Sequence, residues 1–120
     1  MKYALVIFEA EQDFAKREGA EAQQYWAGWM AYTQVIREAG VMVGGAGLQP
    51  PSTATTIRHL NGSIQVQDGP FADSKEQLGG FYLIDVPNLD QAIEWAARVP
   101  ISELGRVEIR PMLPPPPDQA

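Results

Sequence analysis

The chain has 120 residues, 45% of them hydrophobic and 20% charged, a composition that predicts one globular domain with a single core and excludes a disordered chain. Cysteine is absent and His59 is the only histidine, which excludes disulfides, thiolate-bound metals and multi-histidine metal sites within one chain, so no metal or cofactor is expected. The net charge of −6, with nine scattered Lys and Arg residues, argues against nucleic acid as a partner, and the lack of a membrane-spanning apolar run or a signal peptide predicts a cytoplasmic protein.

The first predicted strand covers residues 3–9 and is apolar on both alternating sets of side chains, a pattern typical of strands covered on both faces. Residues 10–20 are mostly polar and predict a loop or a frayed helical turn. From Ala22 onwards, apolar side chains recur every three or four residues, which predicts an amphipathic helix. Arg37 suits the last turn of that helix, and Gly40 is able to end it in a left-handed conformation.

A second strand is predicted over residues 41–48 and is interrupted by three glycines, Gly44, Gly45 and Gly47. These glycines indicate either room for a ligand or a bulge with close contact between strands. Residues 55–60 and 64–67 then predict a β-hairpin, because the Asn-Gly pair between them is a strong turn signal.

A third long strand is predicted over residues 78–86 and is again apolar on both faces. Asn88 is a good N-cap for a helix over residues 89–98, and Pro100 stops that helix. Residues 107–109 alternate apolar and charged side chains, as expected for a final strand with one buried face.

This order, β-α-β-(hairpin)-β-α-β, predicts an α+β domain of the ferredoxin-like plan, in which the first and third principal strands lie in the middle of the sheet. Two helices cover only one face of such a sheet, so we expect a second copy of the chain to cover the other face and form a homodimer. The predicted domain spans residues 1–112, and the proline-rich residues 113–120 are expected to form an extended, flexible tail and not a recognition arm.

Five segments carry a resemblance to a known family: residues 54–58, the Asp-Gly-Pro-Phe run at 68–71, and residues 75–82, 88–97 and 107–111. In this order they resemble the YCII-related family, specifically its DGPF branch. The resemblance implies a dimeric α/β barrel made of two sheets packed face to face. The family has no settled reaction, and its genes are often found beside sigma-factor genes.

Shorter relatives in this family are suggested to be enzymes that use a His–Asp pair in a cleft. The helical position that matches their histidine is Trp29 in this chain. The His–Asp pair of those relatives is therefore not assigned to this chain, and no catalytic residue is assigned. His59 lies on the hairpin and does not inherit the role.

The densest polar cluster surrounds the Asp-Gly-Pro-Phe run and supplies most of the candidate ligand-binding residues: Asp68, Phe71, Lys75 and Glu76. Asp68 is expected either to shape a turn or to face a pocket, and Phe71 is expected to anchor the loop to the core. Lys75 and Glu76 are either a solvated pair or part of the pocket. Arg58 joins the candidates because a guanidinium group binds carboxylates in a bidentate manner; an ion pair with an acidic side chain is its alternative role.

Arg58 and His59 are neighbours on one strand, so they point to opposite faces. Only one of them is able to face the interior between two sheets. Tyr25, Trp26 and Trp29 occur at helical spacing, which favours a core position over a pocket wall.

Three functions stay open at this level. The first is a cofactor-independent enzyme or binder of a small, anionic molecule in a cleft of the dimeric barrel. The second is a non-catalytic dimeric accessory or regulatory protein, for example one linked to a sigma-factor system. The third is a cofactor-free oxygenase, which only the aromatic content supports.

Overall fold

The computed structural model describes residues 1–119. Three helices are present: Glu11–Ala15 (α1), Ala22–Glu38 (α2) and Leu89–Ala97 (α3). Six strands accompany them: Lys2–Ala10 (β1), Met42–Gly47 (β2), Thr55–Leu60 (β3), Ser63–Asp68 (β4), Glu76–Asp85 (β5) and Arg106–Pro111 (β6). The predicted α+β class, the two long helices and all six strands are confirmed, with bounds that differ from the predicted ones by at most two residues.

The main sheet has four antiparallel strands in the order β2-β5-β1-β6. The two strands predicted to be apolar on both faces, β1 and β5, do occupy its centre. Strands β3 and β4 pair only with each other and form a separate hairpin. Its turn contains Asn61 and Gly62, both at positive φ (51° and 78°), as required for the tight turns that match the twist of a hairpin.

One face of the main sheet carries the core. Tyr3, Leu5 and Ile7 of β1 are buried on this face, because alternate residues of a strand point the same way. They pack against Ile36 of α2 and Ala92 of α3, so both long helices cover the same side of the sheet.

The helix ends follow the sequence signals. Asn88 accepts a hydrogen bond from the backbone N–H of Gln91 at 3.0 Å and caps α3, which confirms the predicted N-cap. Gly40 has a φ of +74° directly after α2, so the predicted left-handed helix end is confirmed as well.

The segment over residues 10–20 is more ordered than the sequence suggested. Helix α1 follows β1 without a loop, and Asp13 and Phe14 in it are buried. The second part contains a 3₁₀ turn, Gly19–Glu21, that leads into α2. The polar composition concealed this element because its burial depends on contacts with distant parts of the chain.

The opposite face of the main sheet has no helix on it. Its central side chains include Val6 and Phe8 of β1 and Phe81 and Leu83 of β5, all apolar and half-buried. The Cα atoms span 51 × 46 × 19 Å with a radius of gyration of 16.5 Å, whereas a compact chain of this length has about 13.6 Å. The protein is therefore a thin slab with an uncovered apolar surface.

The proline-rich tail leaves the sheet after β6. Residues 112–116 have no regular structure, and Leu113 is 93% exposed. Pro117–Gln119 form a 3₁₀ turn. The predicted extended conformation therefore does not hold over the whole tail. Residue 120 lies outside the described residues.

Candidate functional site

A cleft of about 710 Å³ opens between α2 and the edge of the sheet formed by β2 and β5. Its wall is mainly apolar and aromatic, and the apolar part includes Ile7, Trp29, Met30, Met42 and Tyr82. The polar side chains that line it are Glu9, Arg17, Tyr25, Thr33, Gln34, Arg37 and Glu38. A mainly apolar cavity with a few polar groups is the usual form of a small-molecule site.

Glu9 is the most unusual polar group of this cleft, because its side chain is buried at the end of the central strand and the residue is only 2% exposed. The hydroxyl of Tyr25 donates to its carboxylate, at 2.9 Å from Oε1 and 3.0 Å from Oε2. The guanidinium of Arg17 lies 3.5 Å from Oε1. Burial raises the pKa of Glu9 above its usual value, although Tyr25 and Arg17 partly oppose the shift.

Arg17 holds the cleft wall together at this end. Its side chain donates to the backbone carbonyls of Leu48 and Gly79, which belong to the segment after β2 and to β5. Its Nε donates to the Tyr25 hydroxyl at 3.3 Å. The same guanidinium stacks 4.8 Å from the ring centroid of Phe14. These contacts occupy the donors of Arg17, so it acts on Glu9 and Tyr25 rather than as a free cation.

A second buried carboxylate, Asp13, lies on α1 near this network. It accepts a hydrogen bond from Ser102 at 2.6 Å and an ion pair from Lys16 at 3.0 Å. Burial alone raises the pKa of Asp13, but Ser102 and Lys16 outweigh burial and hold the pKa below its usual value. Asp13 is therefore held in its charged form, in contrast to Glu9, whose pKa is raised.

Trp29 contributes the second unusual polar group. Its Nε1 is buried and finds no hydrogen-bond acceptor among the described residues, and such orphaned donors are rare because each costs about 1–3 kcal/mol. The indole stacks on Tyr82, with ring centroids 6.5 Å apart and planes 16° apart. Tyr82 is itself fixed by a 2.6 Å hydrogen bond between its hydroxyl and that of Thr33.

The core position predicted for the aromatic residues of α2 holds only in part. Trp29 packs against the buried core and also lines the cleft. Trp26 is 43% exposed and its Nε1 donates to the carbonyl of Arg17. Tyr32, which lay outside the predicted apolar stripe, is the buried aromatic residue of this helix, and its hydroxyl donates to the carbonyl of Trp95.

Glycines shape the sheet side of the cleft. Gly45 has a φ of +155°, and a side chain there would place its Cβ 2.6 Å from the carbonyl oxygen of Phe81. The register of β2 against β5 shifts next to it, between Met42 and Gly44. At Gly47 a Cβ would meet no atom within 4 Å. Both interpretations of these glycines therefore apply: a bulge with close strand contact at Gly45, and open space at Gly47.

None of the five residues proposed from the sequence lines this cleft within the described part of the chain. Arg58 is exposed on the protruding hairpin, opposite Gln65. Asp68 ends the same hairpin. Glu76 begins β5 and is half-buried, and Lys75 lines a second, broad groove beside Phe14 and Pro51. A ligand role for these residues stays a prediction.

The expected anchoring role of Phe71 is wrong for the single chain. Its side chain is 91% exposed. The loop is held by backbone contacts instead: the N–H of Gly69 donates to Ala54, and the hydroxyl of Thr56 donates to the carbonyl of Gly69. His59 and Arg58 do point to opposite faces of the hairpin, and both are exposed.

Sequence reasoning missed Glu9, Arg17 and Tyr25 as a group. The available signal was the carboxylate at the end of a strand that is otherwise apolar on both faces, since a charge in such a position needs a partner. The partners lie 8 and 16 residues away, on either side of a turn that the sequence did not define. Among residues 1–119, no group of three His, Asp or Glu side chains is arranged to hold a metal, and no helix has the length and apolarity to cross a membrane.

Two comparisons with known proteins give matches that cover nearly the whole chain. The model of the YCII-related domain matches residues 1–115. A protein of Rhizobium meliloti (strain 1021), described as uncharacterized, is 36% identical over 114 residues, which cover 93% of this chain and 92% of that protein.

Proposed function

The chain belongs to the YCII-related domain family, and we propose that it binds a small, planar carboxylic acid in the cleft between α2 and the β2–β5 edge. The observation that carries this proposal is the unpartnered Nε1 of Trp29, a residue that lines a cavity of about 710 Å³. A carbonyl or carboxylate oxygen of the ligand would accept the hydrogen bond that the protein leaves unmade. The atom is sealed from water, so the ligand must displace neighbouring side chains to reach it.

The charges and shapes around Trp29 favour an anionic ligand with a flat body. Arg37 lines the cleft and makes no ion pair with any described residue, so its guanidinium is available for a carboxylate. The stacked rings of Trp29 and Tyr82 offer flat faces, which suits an aromatic or conjugated molecule. The site predicted at Arg58 or Lys75 is the competing location for the same anion.

We propose further that the helix-free face is covered by a second copy, so that two sheets of the ferredoxin-like plan form a dimeric α/β barrel. The order β2-β5-β1-β6 and the two long helices on one face support that plan. The chain exposes 8572 Å², whereas a compact monomer of this mass exposes roughly 6,400 Å². The excess is about 2,200 Å² per chain, or about 4,400 Å² for two copies, which lies within the range that obligate dimer interfaces bury; the tail and the hairpin supply part of it.

The exposed apolar side of the hairpin supports an accessory or regulatory role as the second candidate function. The hairpin presents Ile57, Ile64 and Val66 to solvent on one side, each more than 60% exposed, and apolar patches of this kind mark protein contacts. The Asp-Gly-Pro-Phe run at 68–71 places the chain, as a proposal, in the DGPF branch of the family. In a dimer the exposed Phe71 would find the apolar contact that it lacks in the single chain.

Titration of intrinsic tryptophan fluorescence with phenylpyruvate tests the binding proposal, because this anion combines an aromatic ring, a ketone and a carboxylate. Trp29→Phe removes the unpartnered donor and is expected to weaken binding about tenfold, the equivalent of ~1.4 kcal/mol. Trp95→Phe is the matched control, since Trp95 lies on α3 and does not line the cleft. Arg58→Ala tests the competing location.

Unchanged affinity in Trp29→Phe, together with a loss in Arg58→Ala, would move the anion site to the hairpin. No binding of any aromatic carboxylic acid by the wild-type protein would contradict the ligand proposal and favour the regulatory role.

A further inference from the structure

The geometry points to Glu9 as the acid–base group of the cleft, and we propose that the bound molecule is a carbonyl compound that gives up a proton from the carbon next to its carbonyl group. This inference rests on the proposed function and deepens it, because it names a reaction class for the same site. It gives a role to a buried carboxylate that ligand binding alone does not require.

Glu9 and Trp29 belong to one connected set of side chains. Tyr25 joins them: its hydroxyl lies 2.9 Å from Oε1 of Glu9, and its ring centroid lies 6.3 Å from that of Trp29. All three line the same cavity. A ligand bound in this cavity would therefore share it with both Glu9 and Trp29.

The carboxylate has unused capacity to take a proton. It accepts one hydroxyl hydrogen from Tyr25 and faces the guanidinium of Arg17, whereas an ionised carboxylate offers about four lone-pair positions. Asp13 likewise has a hydroxyl and a cation as partners, Ser102 and Lys16, but it does not line the cleft. Of the two buried carboxylates in the described residues, only Glu9 meets the cavity.

The reaction balances without an oxidant, a reductant or a metal. The C–H bond beside the carbonyl breaks, its proton moves to an oxygen of Glu9, and the electron pair forms a carbon–carbon double bond as the carbonyl oxygen becomes an enolate. The N–H of Trp29 donates to that oxygen, where negative charge develops. If Glu9 returns the proton to the same carbon, the substrate is regenerated. If Glu9 delivers the proton to the enolate oxygen, the product is the enol.

The environment of Glu9 makes its carboxylate a stronger base than an ordinary one. Burial raises its pKa, with Tyr25 and Arg17 opposing this and Asp13 adding to it. Lys16 is the other charged group that interacts with Glu9. A general base is most effective when its pKa lies close to the working pH, and a carboxyl group at its ordinary pKa would be a weaker base.

Exchange of the benzylic hydrogens of phenylpyruvate in D₂O, followed by proton NMR, tests this inference on the full-length protein. The wild type is expected to accelerate exchange over buffer by about 10²–10⁴-fold, the usual range for a positioned acid–base group. Glu9→Gln is expected to lose this acceleration and to keep the binding measured by tryptophan fluorescence. Glu94→Gln, an exposed carboxylate on α3, is the matched control and is expected to retain the wild-type rate.

The pH profile of the wild type supplies a second readout in case Glu9→Gln does not fold. The exchange rate is expected to rise with pH through the pKa of Glu9, and Tyr25→Phe is expected to move the midpoint upwards, because the Tyr25 hydrogen bond lowers that pKa. A purely structural role for Glu9 would not shift the midpoint.

The outcomes separate the two proposals. A protein that binds phenylpyruvate but does not accelerate exchange overturns the acid–base role and leaves the binding site intact. An acceleration that survives in a folded Glu9→Gln protein also overturns the role. A protein that neither binds nor accelerates exchange overturns both proposals.

Discussion

If the exposed apolar side of the hairpin, with Ile57, Ile64 and Val66, also lies in the interface of the proposed dimer, replacement of Val66 by lysine is expected to convert the dimer into a monomer. Full burial of a valine or isoleucine side chain contributes about 1.5–3 kcal/mol. Val66, Ile57 and Ile64 are 67%, 61% and 63% exposed, so covering each of them would contribute about 1–2 kcal/mol. A symmetric dimer uses every contact twice, so loss of Val66 alone removes about 2–4 kcal/mol.

The introduced charge adds to this loss, because two ammonium groups would be removed from water without a partner. A total above about 4 kcal/mol corresponds to a rise of roughly 10³-fold in the dimer dissociation constant. Sedimentation velocity between 1 and 100 μM is the appropriate assay, with circular dichroism to show that the variant is folded. Gln65→Lys is the matched control, since Gln65 is the neighbouring residue and points to the other side of the hairpin.

A monomeric wild type over the whole concentration range would refute the reasoning. So would a Val66→Lys protein that sediments as a dimer in the same way as Gln65→Lys, because the apolar side of the hairpin would then lie outside the interface.

Three further predictions concern the cleft and its support. Ser102→Ala is expected to raise the pKa of Asp13 and to lower the free energy of unfolding by about 1–2 kcal/mol at pH 7. Because the pKa of Asp13 is lowered in the folded state, this loss should shrink as the pH falls below the folded pKa. Denaturant titrations at pH 7 and pH 2.5 that give the same difference between variant and wild type would show that the Ser102 bond does not depend on the charge of Asp13. For Glu9, whose folded pKa is raised, the opposite sign applies: its contribution to stability is largest below the unfolded pKa of about 4.5 and falls as the pH rises through the folded pKa. Between pH 4 and pH 8, the wild type should therefore lose unfolding free energy relative to Glu9→Gln. A pH-independent difference between the two proteins would count against a raised pKa. Gly45→Ala is expected to lower the free energy of unfolding by about 2–3 kcal/mol, because an alanine is strained at the φ of Gly45 and its Cβ would approach Phe81. Gly47→Ala should lower it by less than about 1 kcal/mol. Equal losses in melting temperature for the two variants would contradict the close-contact interpretation of Gly45.

The arrangement of the sheet was predictable because it depends on local patterns with clear physical causes. β1 and β5 are apolar on both sides and have to lie at the centre, and Asn61-Gly62 specifies a tight hairpin turn. The helix ends at Gly40 and Asn88 follow from single-residue preferences. Each of these signals lies within a few neighbouring positions.

The cleft was not predictable in the same way, because its polar groups come from separate elements. Glu9 meets Tyr25 and Arg17 only after α1 has turned the chain back towards the sheet. The polar cluster at 68–76 looked more promising because it is dense in sequence, but density in sequence does not require a shared cavity. Phe71 shows the same limit: its size suggested an anchor, whereas its 91% exposure depends on the path of the loop.

The position of β1 at the centre of the sheet has a consequence for synthesis on the ribosome. The first strand to emerge pairs with β5 and with β6, the last strand of the chain. Contacts so distant in sequence slow folding, and here the core cannot close until residues 106–111 have been translated. Before β5 is made, β1 offers two unpaired edges and two apolar faces, and until β6 is made one edge stays unpaired; such features favour aggregation of partly folded chains. We expect nascent chains that end before residue 106 to need chaperone protection, and release of the last strand to be the step that permits folding.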